Sequence, residues 1–297
     1  MIKASETEFE GLSCIQLENG LLSLWLTRDV GPRILGMSLA GEENLMAVLP
    51  DLKIEVQGAD DYSLRGGHRL WVAPEKPETT YIADDQPVEI LYLENGLQIT
   101  QDVDLATGIR KSWQVILDDV HARVSINHIL TNQGNETFEL APWAITQLRP
   151  GGTGIIPLQT ELADKHGLLP NRQLVLWPYT RINSPYLEYN DQAVVVKAEM
   201  ETGALKVGTA NPRGWLAYIL ERTLFVKRAV YQAGADYLDR GASSQIYCNP
   251  SFIELETLGP VLSLAPGESV DHQEIWQIYS KENWPEEIIE IYQAIRD

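Results

Sequence analysis

A chain of 297 residues, 44% hydrophobic and 22% charged, is long enough to bury about three quarters of its unfolded surface around an ordinary globular core. Its formal net charge of −19 sets it against phosphate backbones and anionic lipid headgroups, so neither nucleic acid nor membrane is an expected partner. Cys14 and Cys248 belong to no Cys-x-x-Cys or Cys/His cluster, the acidic opening Met1–Glu8 holds no apolar run, and no stretch of about 18 apolar residues follows. The expectation is a cytoplasmic protein with free thiols and no metal or cofactor.

Short strands separated by turn chemistry dominate the chain. Leu22, Leu24 and Leu26 alternate with Ser23 and Trp25, the period of a strand with one buried face. Leu17-Glu18-Asn19-Gly20-Leu21 is echoed by Leu93-Glu94-Asn95-Gly96-Leu97, and Asn-Gly between apolar runs predicts a hairpin at each place. Val88–Leu93 should pair with Leu97–Val103, and Ala106-Thr107-Gly108 should turn into Arg110–Leu117. Strands are then expected at Val124–Leu130, Phe138–Leu148, Ala193–Lys197, Leu205–Gly208, Trp215–Leu220 and Leu224–Tyr231. Residues 149–190 are the least regular, rich in proline, and read either as a domain boundary or as an excursion over a binding cleft; resumption of the same strand type afterwards favours the excursion. At the end, Asn283 as cap, Pro285, Glu286 and Glu287 in the first turn, and a stripe of Ile288, Ile289, Tyr292 and Ile295 predict a short helix docked on a sheet. The fold class that follows is all-β, a sandwich or a barrel with a short C-terminal helix, forming a single domain over residues 1–297.

Chemistry-bearing residues concentrate in four segments. In Phe252–Pro260, Glu254 and Glu256 share one strand face while Ile253 and Leu255 take the other. That face is either wet or lines a cleft, and in a cleft one carboxylate, its pKa raised by burial and by its neighbour, is a candidate general base. In Arg65–Glu75, His68 and Leu70 share one face and Arg69 and Trp71 the other, with Gly66-Gly67 permitting a tight turn or a close approach to a ligand. Arg, His, Glu and Trp together supply the planar hydrogen-bonding groups and the aromatic face that a pyranose ring needs, although an Arg69–Glu75 surface pair and a core Trp71 explain the same residues. Arg33, after Gly31-Pro32, reaches either the cleft or its rim. Trp143 and Gln147 lie in the weakly charged run Ala141–Gln147; Trp143 suits the core, and a buried Gln147 needs partners. Nucleophile elbows, phosphate-binding loops, Rossmann glycines and metal-spaced histidines are all missing.

The order of these segments resembles the galactose-mutarotase-like, or aldose 1-epimerase-like, superfamily. Thr131-Asn132-Gln133-Gly134-Asn135 is similar to the Thr-Asn-x-Gly-Asp/Asn hairpin of those epimerases, and Leu255-Glu256-Thr257 to the strand holding their catalytic glutamate. Leu264-Ala265-Pro266-Gly267-Glu268-Ser269, followed by Trp276-Gln277-Ile278-Tyr279, is similar to their closing turn and last strand. Gly67–Glu75 and Glu254–Pro260 resemble, more closely, an uncharacterised DUF4380-type branch. The resemblance spans Gly31 to Tyr279 and implies a β-supersandwich that binds a sugar or sugar derivative. It also implies epimerase chemistry, in which a glutamate takes the anomeric proton while a histidine protonates the ring oxygen. Glu256 matches the base. The run that holds the epimerases' histidine reads Ala141–Leu148 here and contains none, so His68, with Arg69 as the alternative, is the candidate electrophilic partner.

The expected site is thus Glu256 and His68 as catalytic groups, with Arg33, Arg69, Trp71, Glu75, Trp143, Gln147 and Glu254 binding substrate. Arg33, Arg65 and Arg69 leave an anionic sugar open. Three readings compete with an aldose 1-epimerase: a non-catalytic sugar-binding module, a glycosidase or lyase using Glu75 with Glu256, and a purely structural domain.

Overall fold

The computed structural model describes residues 2–56 and 61–294. Strands are numbered along the chain. One antiparallel sheet runs β1 (Lys3–Phe9), β2 (Leu12–Glu18), β3 (Leu22–Thr27), β4 (Ile34–Leu39), β7 (His68–Ala73), β12 (Phe138–Leu148), β21 (Ile253–Leu258), β20 (Ser244–Cys248), β17 (Leu205–Thr209) and β14 (Val175–Leu176). β22 (Leu262–Leu264) pairs with the start of β12. The second sheet runs β15 (Leu187–Tyr189), β16 (Ala193–Lys197), β13 (Thr153–Pro157), β18 (Trp215–Leu220), β19 (Thr223–Ala229), β23 (Ser269–Ser280), β11 (Arg123–Asn132), β10 (Ile109–Leu117), β9 (Gly96–Thr100) and β8 (Glu89–Leu93). A separate hairpin pairs β5 (Val48–Ile54) with β6 (Tyr62–Gly66).

Strand alternation creates three apolar layers. Leu70, Val72, Ala144 and Leu255 of the first sheet meet Trp113, Phe225 and Trp276 of the second in the central core. The intervening residues Trp71, Trp143, Ile145 and Leu258 face outward, where Tyr62 and Leu64 of the hairpin cover them. On the far side, the helix Glu286–Ala294 docks Ile288 and Ile291 on Ile155, Trp215 and Leu224 of the second sheet. Ile291, outside the predicted stripe, is one of its two buried anchors, and Ile295 of that stripe lies outside the described residues. Asn283 donates to Ser280 Oγ in a preceding 3-10 turn.

The Asn19-Gly20 hairpin joins β2 to β3. Gly20 takes φ +86°, while Asn19 accepts from the Leu21 and Leu22 amides and donates to the Asp118 and His121 carbonyls of the other sheet. The second hairpin turns one residue earlier than predicted, through Glu94-Asn95, because Gly96 already pairs with Leu93. A Cβ on Gly96 would lie 1.9 Å from the Val115 carbonyl oxygen, so the neighbouring strand excludes any side chain there. Cys14 and Cys248 are free and buried. Among the described residues, no helix is long and apolar enough to cross a membrane.

Candidate functional site

The outer face of the first sheet carries the site. In register across β7, β12 and β21, Trp71 stands beside Trp143 and Leu258, and Arg69 beside Ile145 and Glu256. The next row sets Gln147 beside Glu254, Tyr247 and Lys206. Above these rows lies a cleft of about 280 Å³, at the lower end of the range for small-molecule sites. Arg69, Trp71, Trp143, Lys206 and Glu254 form its charged and aromatic floor. Tyr179, Tyr247 and Phe252 wall one side, and Leu52, Ile54 and Leu64 of the hairpin wall another. Glu75, exposed at the mouth, accepts a hydrogen bond from the Tyr81 hydroxyl.

Two carboxylates are held differently. Glu254 Oε1 accepts from Arg69 Nη2 at 3.0 Å and from Gln147 Nε2 at 2.9 Å, and the Arg69 guanidinium lies 4.0 Å over the Trp71 ring. Glu256, wholly buried, puts Oε2 2.7 Å from both Trp143 Nε1 and Lys206 Nζ, while Oε1 has no partner. Burial lifts its carboxyl to about 7; Lys206 opposes the rise and Glu254 adds to it. Lys206 Nζ also sits 4.7 Å over the Trp143 ring and 4.8 Å over Trp177. Its backbone is clasped by Thr180, whose hydroxyl accepts from the Lys206 amide and donates to the Lys206 carbonyl, each at 2.7 Å. The irregular stretch after residue 149 thus brings Tyr179 to the cleft and Trp177 against Lys206, and it also supplies β13 between β16 and β18.

Two expected site residues face elsewhere. Arg33 is completely buried. It donates to the Leu64 and Gly66 carbonyls, to Tyr62 Oη and to Asp84 Oδ2 (2.7 Å), and so clamps the β5–β6 hairpin to the sheet. Against the cost of burial, the Arg33 and Arg65 guanidinium groups hold the Asp84 carboxyl below the usual carboxylate range. His68, expected beside Glu256, points through the opposite face of β7 into the central core, because it alternates with the cleft-lining Arg69. There its Nδ1 meets Thr146 Oγ1 at 2.9 Å and its Nε2 meets His128 Nε2 at 2.8 Å. His128 Nδ1 faces the His272 carbonyl at 2.9 Å, which only accepts. The protons therefore run one way: Thr146 hydroxyl to His68, His68 Nε2–H to His128, His128 Nδ1–H to the carbonyl. Lys227 Nζ supplies Thr146 Oγ1 at 3.1 Å, pairs with Glu274 Oε1 at 2.9 Å, and donates to the Ala144 and Leu255 carbonyls. His68, His128 and Glu274 present ligand atoms within 4.8 Å of one another, a metal-like spacing, but Lys227 is the cation against this carboxylate. Burial holds His68 and His128 below their ordinary pKa. His68 ties the two sheets together and does not reach the cleft.

No protein-family model matches the sequence, and no curated protein is similar to it. Similarity appears in three dimensions. A galactose mutarotase-like protein from Lactobacillus casei superposes with TM-score 0.59 at 11% identity, covering 90% of this chain and all of that one. A proposed aldose 1-epimerase from Escherichia coli K12 superposes at 0.55 and 13% identity, covering 94% of this chain and all of the other. A proposed mutarotase from Salmonella typhimurium gives 0.57 at 10% identity, covering 93% and 94%. The fold is the galactose-mutarotase-like supersandwich. Within it, two of the motifs of the resemblance, Thr131–Asn135 and Leu264–Ser269, pack together: the Asn132 side chain donates to the Glu136 and Leu264 carbonyls, and the Gly267 amide donates to the Asn132 carbonyl.

Lys206 is the main site residue that sequence reasoning missed. One cue was present: a lysine alone among Leu205, Val207, Gly208 and Thr209 in a strand buried on both faces, where a charge needs a partner. Tyr179, Tyr247 and Asn249 had no distinguishing local signal.

Proposed function

We propose that the cleft binds an aldose and that Glu256 and Lys206 interconvert its anomers by acid–base catalysis. The Glu256–Lys206 pair carries this reading. It couples a buried carboxyl of pKa about 7, with one uncommitted oxygen, to an ammonium lining an aromatic cleft. Glu256 lies beneath Trp143 and Lys206 and outside the cleft lining, so Lys206 would move from Oε2 to protonate the ring oxygen and, in moving, open Glu256 to take the anomeric proton. The ring opens to the aldehyde, the aldehyde turns, and the reverse transfers close the other anomer. Trp71, Trp143 and Tyr247 offer apolar faces to the ring, and Arg69, Glu254 and Asn249 offer hydrogen bonds to hydroxyls. Aldose chemistry accords with the fold shared with mutarotase-like proteins, and Gly67–Glu75 with Glu254–Pro260 supports kinship with the DUF4380-type branch. Arg69 and Lys206 leave an acidic or phosphorylated sugar among the substrates to screen.

Anomer exchange measured by NMR on D-glucose, D-galactose and their uronates tests the proposal. Glu256→Gln keeps the shape of the side chain and removes the proton acceptor, so the rate should fall at least about a hundredfold. An unchanged rate overturns the assignment. A second reading, a sugar-binding module without turnover, is favoured by one observation: among the described residues, no histidine lines the cleft. It predicts ligand-dependent thermal stabilisation of wild-type protein without any enzymatic anomer exchange.

A further inference from the structure

We propose that Lys206 forms an imine with the aldehyde of an open-chain aldose. This rests on the reading that the cleft takes an aldose, and it goes beyond proton transfer by making Lys206 a nucleophile.

Three geometric features converge on its amine. Lys206 lines the cleft while remaining buried, so a carbonyl entering the site meets Nζ in a water-poor, aromatic environment. The faces of Trp143 and Trp177 and the Thr180 clasp fix where Nζ stands, which converts encounter with a bound carbonyl into a near-unimolecular step. A proton acceptor waits at 2.7 Å, the Oε2 of Glu256. Desolvated lysines are the form in which this side chain attacks carbonyls, and Glu256 is placed to take the proton that must leave first. Lys227, also buried, has its ammonium committed to Glu274 and to carbonyls in the central core. Lys53 lines the same cleft but is exposed.

The step balances without an oxidant or reductant. The Lys206 ammonium passes one proton to Glu256. The neutral amine attacks C1, forming the N–C bond, and Glu256 delivers its proton to the carbonyl oxygen. The nitrogen then passes a second proton to Glu256, giving the neutral carbinolamine, and Glu256 returns it to the hydroxyl, which leaves as water as the C–O bond breaks. Aldehyde and ammonium are consumed, and a protonated imine and one water are produced, with Glu256 ionised again.

Glycolaldehyde is the probe, because it has no ring to open and reports imine formation separately from anomer exchange. Wild-type protein is incubated with glycolaldehyde and sodium cyanoborohydride, and the reduced hydroxyethyl adduct is located by peptide mass mapping. Labelling should fall on Lys206 at least about tenfold faster than on exposed Lys53, the excess reflecting the preorganised site. Lys206→Arg, which keeps a cation against Glu256, should lose that label while the remaining lysines react as before. Label on Lys53 and other exposed lysines with Lys206 unmodified overturns the proposal. Anomer exchange in the wild type without label on Lys206 also overturns it, and leaves the acid–base reading standing. Label on Lys206 without anomer exchange supports the imine and removes ring opening as the activity.

Discussion

Glu256 is poised by donors that both favour its ionised form. Burial alone would keep the carboxyl neutral; the Lys206 ammonium and the Trp143 N–H bring it back to about 7. Removing the indole donor therefore has a definite sign. In Trp143→Phe the carboxylate loses one hydrogen bond and the acid form loses nothing, so the pKa rises. A charge-assisted hydrogen bond is worth about 1.5–3 kcal/mol, which corresponds to a shift of about one to two pH units. The acid limb of the pH–rate profile for anomer exchange should move upward by that amount, with the alkaline limb in place. A midpoint that stays or falls would show that the Trp143 donor does not stabilise the carboxylate. Part of this site was readable beforehand, because alternation alone places Glu254 with Glu256 and Arg69 with Trp71. The same rule separates His68 from Arg69. His68 therefore faces the central core and leaves the cleft without a histidine from β7. Lys206 was unreadable as a partner for a different reason: it reaches Glu256 across β20, which stands between β17 and β21, and sheet order leaves no local trace.

At the level of elements, glycines mark where backbones touch. Gly67 takes φ +70°, and a Cβ there would lie 2.2 Å from the Ile34 carbonyl oxygen and 2.9 Å from Leu35 Cα. Its neighbour Gly66, at φ +88°, leaves no room beside the Ala47 carbonyl. The Gly66-Gly67 pair thus serves chain-to-chain approach at the junction of β6, β7 and β4, in the place where a ligand was one of two readings. Gly67→Ala combines a positive-φ penalty with a backbone clash, so it should destabilise by about 1–3 kcal/mol, visible as a lowered urea midpoint. Because Arg69 and Trp71 follow on the same strand, sugar-induced thermal stabilisation should weaken as well. A midpoint equal to wild type would mean that the β6–β7 junction relaxes freely. Strand positions were legible over most of the chain because alternation and Asn-Gly turns act locally. The hairpin at Glu94-Asn95 slipped by one residue because the approach of Val115, a contact with the next strand, decided where Gly96 sits.

The whole molecule stores its titratable risk between the sheets. His68, His128 and His272 are buried and neutral; burial pushes His272 down to about 3, and lowers the other two as well. In the unfolded chain each titrates near 6.5. Below that pH the unfolded state binds protons that the native state refuses, so folding stability falls as pH falls, by up to about 1.4 kcal/mol per pH unit for each histidine. Glu256 acts in the opposite sense. Its native pKa of about 7 lies above the unfolded value, so between about 7 and 4.5 the native state takes up a proton first and gains stability. Three groups against one leave a net loss of stability as pH falls below 6.5. Urea unfolding at pH 7.5, 6.5, 5.5 and 4.5 measures the slope. His272→Gln, which retains hydrogen-bonding capacity next to Thr257 without a titrating ring, should reduce it by close to one proton. A stability that is flat across this range would mean that the histidines accept protons in place. The hydrogen-bond direction from Thr146 through His68 to the His272 carbonyl would then have to be abandoned, since an added proton leaves His68 and His128 donating toward each other.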